Sequence, residues 1–312
     1  MEEAPLYTEL AEAPAHGEAF WMPLRYGAIR VATWSGGTRG TAIIFTGRTE
    51  YIEKYGRVIR SLHDRGFSVA TLDWRGQGLS HRSLGDEMKG HVGDFARYLT
   101  DVKLLMSSPA VAALPKPHVL ICHSMGGCIG MRALLEEAVR PAAVVMSAPM
   151  LGIQMKPHVR LGAKVMTALA ERFHFETMMA PAPQGRNAYV AVTPFEANAL
   201  TNDFDHYEWL KKHLEAEPGF ALGPPTLGWM NRATEEMRAL RLAPEPEPSI
   251  LMFLGNEEEV VSPAAIRRYA KRSARCRMVE IQAAKHEVFM ETPGVQEIVW
   301  REIDQFLKTK GV

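Results

Sequence analysis

The stretch His118-Val119-Leu120-Ile121-Cys122-His123-Ser124-Met125-Gly126-Gly127-Cys128-Ile129-Gly130 decides the fold. Val119 to Cys122 is an apolar run without polar alternation, the pattern of a strand buried on both faces. A serine and a glycine-rich, helix-like run follow at once, so the chain turns sharply from strand to helix at Ser124. Such a turn lifts the hydroxyl above the sheet edge, beside the positive end of a helix. Small residues on both sides of the serine let strand and helix approach. Gly126 meets that need after Ser124, whereas Cys122 occupies the position where glycine is commonest. A serine that merely caps the helix is the plainer alternative; the partners found further along the chain argue against it.

Outward from this point, short β-like runs alternate with helical ones from about Trp21 onward. That rhythm predicts an α/β fold, a mostly parallel central sheet flanked by helices. The clearest strands are 42–45, 68–72, 118–122, 143–147, 250–254 and 277–281. Helices are expected over 52–64 (stopped by Gly66), 94–106, 125–137, 264–273 and 295–307. From 150 to 242 the rhythm breaks into a Met- and aromatic-rich stretch without a convincing strand. It reads as a helical cap inserted over the carboxyl edge of the sheet, where open α/β sheets bind ligands. The Pro/Glu run 243–248 is its return linker. The expected organisation is an N-terminal extension (1–20), a core (21–149 and 243–312) and the cap (150–242). A separate helical domain without a part in chemistry is the alternative for the insertion.

A serine hydroxyl needs a base to take its proton and a carboxylate to orient that base. On a strand–turn–helix nucleophile of this kind, the expected chain order is Ser, acid, His. After strand 250–254 comes Gly255-Asn256-Glu257-Glu258-Glu259, a carboxylate-bearing loop. After strand 277–281 comes Ala284-Lys285-His286-Glu287. His286 is the one histidine of eleven between the last expected strand and the terminal helix. Which of Glu257, Glu258 and Glu259 supplies the acid stays open at this level. His123 adjoins the serine, but its side chain should point away. For the oxyanion, one donor is the backbone N–H of Met125. The loop Thr46-Gly47-Arg48 supplies a second through the N–H of Arg48.

The bulk numbers suit this reading. Hydrophobic residues make up 46% and charged residues 23%, enough apolar surface for a core in a chain of 312 residues. Lys+Arg 36 balances Asp+Glu 36, so no global charge steers the chain to nucleic acid. Cys122, Cys128 and Cys276 are too few and too scattered for a disulfide framework or a zinc site, and they suit a reducing compartment. The acidic N-terminus lacks the pattern of a signal peptide, and no run of roughly 18 apolar residues offers a membrane span. A cytoplasmic location is expected, with peripheral contact at the inner membrane face left open. No cofactor or metal is expected. Gly76-Gln77-Gly78 leads to His81 rather than to a third glycine, which excludes a dinucleotide fingerprint, and His286-Glu287 lacks a second helical histidine.

Several stretches together resemble the lysophospholipase L2 and monoacylglycerol lipase group of the α/β-hydrolases. They are Glu50-Tyr51-Ile52-Glu53-Lys54-Tyr55, Asp73-Trp74-Arg75-Gly76-Gln77-Gly78-Leu79-Ser80, 122–127, and His286-Glu287. In the insertion, Asn198-Ala199-Leu200-Thr201-Asn202-Asp203 and Gly223-Pro224-Pro225-Thr226-Leu227-Gly228-Trp229 are similar to the lysophospholipase branch. The resemblance spans nearly the whole chain after the first twenty residues. It implies a serine hydrolase that removes single acyl chains from glycerol-based lipids beneath a helical cap, and it selects Glu258 as the acid. Three positions depart from the group: Thr46 where His precedes the glycine, Cys122 for the first elbow glycine, and Glu258 for the commoner Asp.

The substrate expected is a small-molecule acyl ester, a single-chain lipid by resemblance. Phe173, Phe175, Met178, Met179, Phe220, Trp229 and Met230 are the candidates for lining an acyl pocket, since methionine adapts to flexible apolar ligands. Their alternative role is cap core. A carboxylesterase, thioesterase or peptidase would use the same catalytic residues, and a non-catalytic binding protein would keep the fold. Oligomeric state is not readable from the sequence.

Overall fold

The structure, a computed structural model, describes residues 2–312. Nine strands form one sheet: β1 (Glu2–Glu3), β2 (Glu18–Pro23), β3 (Ala28–Trp34), β4 (Gly40–Phe45), β5 (Phe67–Leu72), β6 (His118–His123), β7 (Ala143–Ser147), β8 (Ile250–Gly255) and β9 (Cys276–Ile281). Their order is β1-β2-β3-β5-β4-β6-β7-β8-β9. From β5 to β9 the neighbours run parallel; β1, β2 and β3 form an antiparallel edge. This is the doubly covered sheet expected of an α/β-hydrolase.

Alternate side chains of each central strand enter two different cores. Leu120 and Cys122 of β6 join Ile43, Phe45, Val144, Met146 and Met252 in one. Val119 and Ile121 join Ala42, Ile44, Val145 and Phe253 in the other. The first core is closed by α3 (Ala96–Ser107), α4 (Pro109–Ala112), α5 (Met125–Leu135) and α10 (Pro263–Arg272). The second is closed by α2 (Gly56–Asp64) and α11 (Pro293–Thr309). Each fully buried Leu or Ile adds about 1.5–3 kcal/mol, so register is strongly specified on both faces.

The six expected strands are all present. The β2–β3 hairpin was not among them, and Arg30 explains why. It interrupts the apolar pattern of β3, yet its guanidinium is fully buried, 2.6 Å from Glu53 and 2.8 Å from Asp73. A buried cation with two carboxylates replaces what the pattern requires to be apolar. The short α1 (Thr8–Ala11) lies between β1 and β2. Within the stretch expected as an N-terminal extension, residues 2–20 therefore contribute an edge strand as well as a lead-in.

Between β7 and β8 the chain forms four helices: α6 (Pro157–Arg172), α7 (Tyr189–Val192), α8 (Phe204–Ala216) and α9 (Leu227–Leu242). Asp203 and Thr226 cap α8 and α9 by accepting from His206 N and Trp229 N. Trp229, Ala233, Met237 and Leu240 of α9 merge with the first core, and Arg132 of α5 pairs with Glu236 at 2.7 Å. α8 is tied elsewhere: Trp209 Nε1 and His213 Nε2 bond to Leu10 O at 3.0 and 2.8 Å. α6 packs on α9 through a small cluster around Ala170 and Leu227.

Candidate active site

Ser124 joins β6 to α5 at φ 50, ψ −116, a strained conformation for a residue with a Cβ. Its amide donates to Ser147 O at 3.1 Å and its carbonyl accepts from Met150 N at 2.8 Å, so the end of β7 and the loop after it hold the turn. Glycine follows because the helix starts against other backbone. A Cβ on Gly126 would stand 2.1 Å from Phe45 O, and one on Gly127 2.5 Å from Pro149 Cβ. Gly130 makes room for Cys122: its missing Cβ would lie 2.6 Å from the Cys122 Sγ. The thiol that replaces the usual elbow glycine thus has a matching space further along α5.

His286 follows β9 and Glu258 follows β8. His286 Nδ1 lies 2.7 Å from Glu258 Oε2. An ionised carboxylate only accepts, so Nδ1 carries the proton and Nε2 is left as a base. The other oxygen of Glu258 accepts from Val260 N and Val261 N at 2.6 and 2.9 Å. Burial pushes the Glu258 carboxyl up, but the adjacent imidazole and these bonds outweigh it and hold the group below its ordinary value. Glu257 instead accepts from Asn202 at the surface, Glu259 is exposed, and Asp304 pairs with Arg65. Of the three glutamates, Glu258 is the one that meets His286.

The loop after β4 is held by its carbonyls. Trp74 Nε1 donates to Thr46 O at 2.9 Å, and Gln77 Nε2 donates to Gly47 O and Glu50 O at 2.7 and 3.0 Å. The Gly47 amide donates to the Glu50 carboxylate. Among the described residues, the amides of Arg48 and Met125 donate to no protein group. The Thr46 hydroxyl, in place of the resembled group's histidine, is buried without a partner.

Glu50 belongs to a buried cluster. It accepts from Lys54 Nζ and Tyr55 OH at 2.8 and 2.7 Å, and Lys54 reaches Glu287 at 2.5 Å. His123 Nε2 is 3.5 Å from Glu50, and its ring centroid is 4.7 Å from that of His286. Burial favours a neutral Glu50, but Lys54 and the hydrogen bonds win and bring it to about 2. Burial also pulls His123 down to about 3, which keeps it neutral. The cluster ties the loop after β4 to the segment that carries His286.

Ser124, His286 and Arg48 line one cavity of about 340 Å³, within the range of small-molecule sites, roughly 300–1,000 Å³. Its other walls are mainly apolar and include Tyr51, Leu210, Leu214, Phe220, Leu222 and Trp229. Tyr51 and Phe220 stack at 4.1 Å, fixing one wall. The profile of the serine aminopeptidase, S33, family matches residues 36–293. The chain belongs to that family. This S33 member is 28% identical over 279 residues to the probable lysophospholipase L2 of Haemophilus influenzae, covering 88% of this chain and 85% of the relative. It is 27% identical over 278 residues to the lysophospholipase L2 of Escherichia coli (strain K12), covering 85% and 79%. In structure it is similar to a soluble variant of the monoglyceride lipase from Saccharomyces cerevisiae. The TM-score is 0.74 with 17% identity, over 95% of this chain and 97% of that one. The α/β-hydrolase fold and the resemblance read from the motifs are thereby borne out.

Of the seven side chains expected to line an acyl pocket in this S33 protein, two reach the cavity, Phe220 and Trp229. Phe173 and Met178 are exposed, 63% and 54%. Phe175 and Met230 pack in the α6–α9 cluster, and Met179 bridges to Thr226. Composition alone does not say which face of a cap helix an aromatic occupies. The Glu50–Lys54–Glu287 cluster was not anticipated; the i,i+4 spacing of Glu50 and Lys54 was its one sequence signal.

Proposed function

We propose that the chain is a serine hydrolase of carboxylic esters, its substrate a glycerol lipid with a single acyl chain, a lysophospholipid or a monoacylglycerol. The observation that carries this reading is the 2.7 Å contact of His286 with Glu258 in the same apolar cavity as the strained Ser124. Ser124 Oγ attacks the ester carbonyl carbon while His286 Nε2 takes its proton. The amides of Arg48 and Met125 hold the oxyanion. Collapse breaks the acyl–oxygen bond, and His286 returns the proton to the leaving alcohol. Water then attacks the acyl-enzyme and gives a proton to His286; collapse breaks the bond from the acyl carbon to Ser124 Oγ, His286 returns the proton to Oγ, and the acid departs.

The related lysophospholipases favour the lipid. So does the surface of α6, where Leu161, Val165, Leu169 and the adjacent Phe173 are exposed beside Lys156, Arg160 and Lys164. Such a face suits peripheral contact with anionic lipid. No helix among the described residues is long and apolar enough to cross a membrane. The three free cysteines suit the cytoplasm. The test is hydrolysis of a panel of lysophospholipids, monoacylglycerols and short esters, with labelling by a fluorophosphonate. Ser124 should be the labelled residue; turnover without labelling, or equal turnover by Ser124→Ala, overturns the reading.

A further inference from the structure

The charges of the cavity do not balance locally. Lys54 has Glu50 and Glu287, and His286 has Glu258. Arg48 lines the same cavity and has no carboxylate within 4.0 Å among the described residues. Its side chain is nevertheless held in place. Nη2 donates to Gly223 O at 3.0 Å, and Cζ sits 5.2 Å from the centroid of the Trp229 ring. Among the described residues, Nε is buried without a partner, and the bond from Nη2 is the one the guanidinium makes. Burial pulls the guanidinium down to about 10, so it remains charged at neutral pH. A positioned, half-buried cation without a counter-ion costs free energy unless something else supplies the anion.

We propose that the Arg48 side chain binds the phosphate of a 1-acylglycerol phosphate while its own amide serves the ester oxyanion. This rests on the ester-hydrolase reading above and narrows it to anionic substrates. The two ends match in length. About seven bonds separate an arginine amide nitrogen from Nη, and about six separate the ester carbonyl carbon from phosphorus in such a lipid. A guanidinium offers paired donors to phosphate oxygens, which a neutral monoacylglycerol cannot use. Gly223, Pro224 and Pro225 line the same cavity, and the Gly223 carbonyl aims the fork.

The test compares kcat/KM on 1-decanoylglycerol 3-phosphate and on 1-decanoylglycerol, both as monomers, for wild type, Arg48→Met and Arg48→Lys. The phosphate-to-neutral ratio should fall about 30-fold in Arg48→Met, mainly through KM, as expected for loss of a charge-assisted contact. Arg48→Lys should recover part of it. A ratio unchanged in folded Arg48→Met, both rates falling together, would show that the side chain only supports the loop. An independent arm needs no variant. Glycerol 3-phosphate should compete with the neutral ester better than glycerol does in wild type, and equal effects overturn the proposal. Wild type that cleaves neither ester would overturn the hydrolase reading as well. Cleavage of the neutral ester with an unshifted ratio overturns this inference alone.

Discussion

The Sγ of Cys122 lies 2.6 Å from the point where a side chain on residue 130 would begin, so the two positions share one space beneath α5. Neither residue can grow without displacing the other. Glycine inside a helix normally loses about 1 kcal/mol relative to alanine. Gly130→Ala should therefore stabilise an unconstrained helix, yet here it should destabilise by about 1–2 kcal/mol through overpacking. In a Cys122→Gly background the same change should turn neutral or favourable. Urea unfolding of the four proteins measures the coupling; additive effects would mean the contact relaxes freely.

Glu258 and its neighbours offer a test internal to one loop. Glu258→Gln keeps the shape but no longer favours the Nδ1–H tautomer of His286, so kcat should fall by roughly 10³–10⁴. Glu257→Gln and Glu259→Gln should stay within about threefold of wild type, since neither side chain meets His286. Steady-state hydrolysis of a p-nitrophenyl ester separates the three. Equal activity in all of them would move the acid elsewhere.

Acid should unfold the protein earlier than its carboxylates alone require. Burial holds His123 near 3 and His213 near 4, and it lowers His206 in the same direction. The unfolded chain binds protons at these residues below about 6.5 while the native chain does not. Stability is thus intact above that pH and lost as pH falls toward the native values. Each histidine contributes a slope of about 1.4 kcal/mol per pH unit. Glu50, held near 2, adds a loss that begins only below about 4.5. Urea unfolding free energies from pH 7 to 5 should fall steeply, and His213→Gln should remove about one proton from that slope.

Acyl-chain length should respond to the wall that α8 provides. Leu214 lines the cavity and is half-buried, so Leu214→Trp should fill it without breaking the core. The preferred chain should shorten, with kcat/KM for long acyl groups falling about tenfold or more and short ones nearly unchanged. Phe173→Ser should leave monomeric esters untouched and weaken turnover on anionic vesicles. A uniform fall over all chain lengths in Leu214→Trp would mean the acyl chain lies elsewhere.

The elements legible in the sequence are those with local patterns. Parallel strands buried on both faces show as apolar runs, and Ser124 and His286 stand at their ends. Glu258 was one of three adjacent glutamates until folding buried it beside His286 and left the others outside. Lys54 and Glu287 are 233 positions apart, so no local pattern reports their pairing. Arg30 concealed a strand for a related reason, since its apolar environment is balanced by carboxylates from distant segments. Cap side chains were the least legible. Their composition signals an apolar purpose, but only packing separates Phe220, in the cavity, from Phe173, in solvent.

The two bonds from α8 to Leu10 O give the opening segment a mechanical task. It works as a strap across the base of the cap, buckled to the edge of the sheet by β1. α8 cannot swing outward unless that strap slips. Trimming the first dozen residues should accordingly leave the sheet standing and slacken one wall of the cavity, so that selectivity is lost well before the fold.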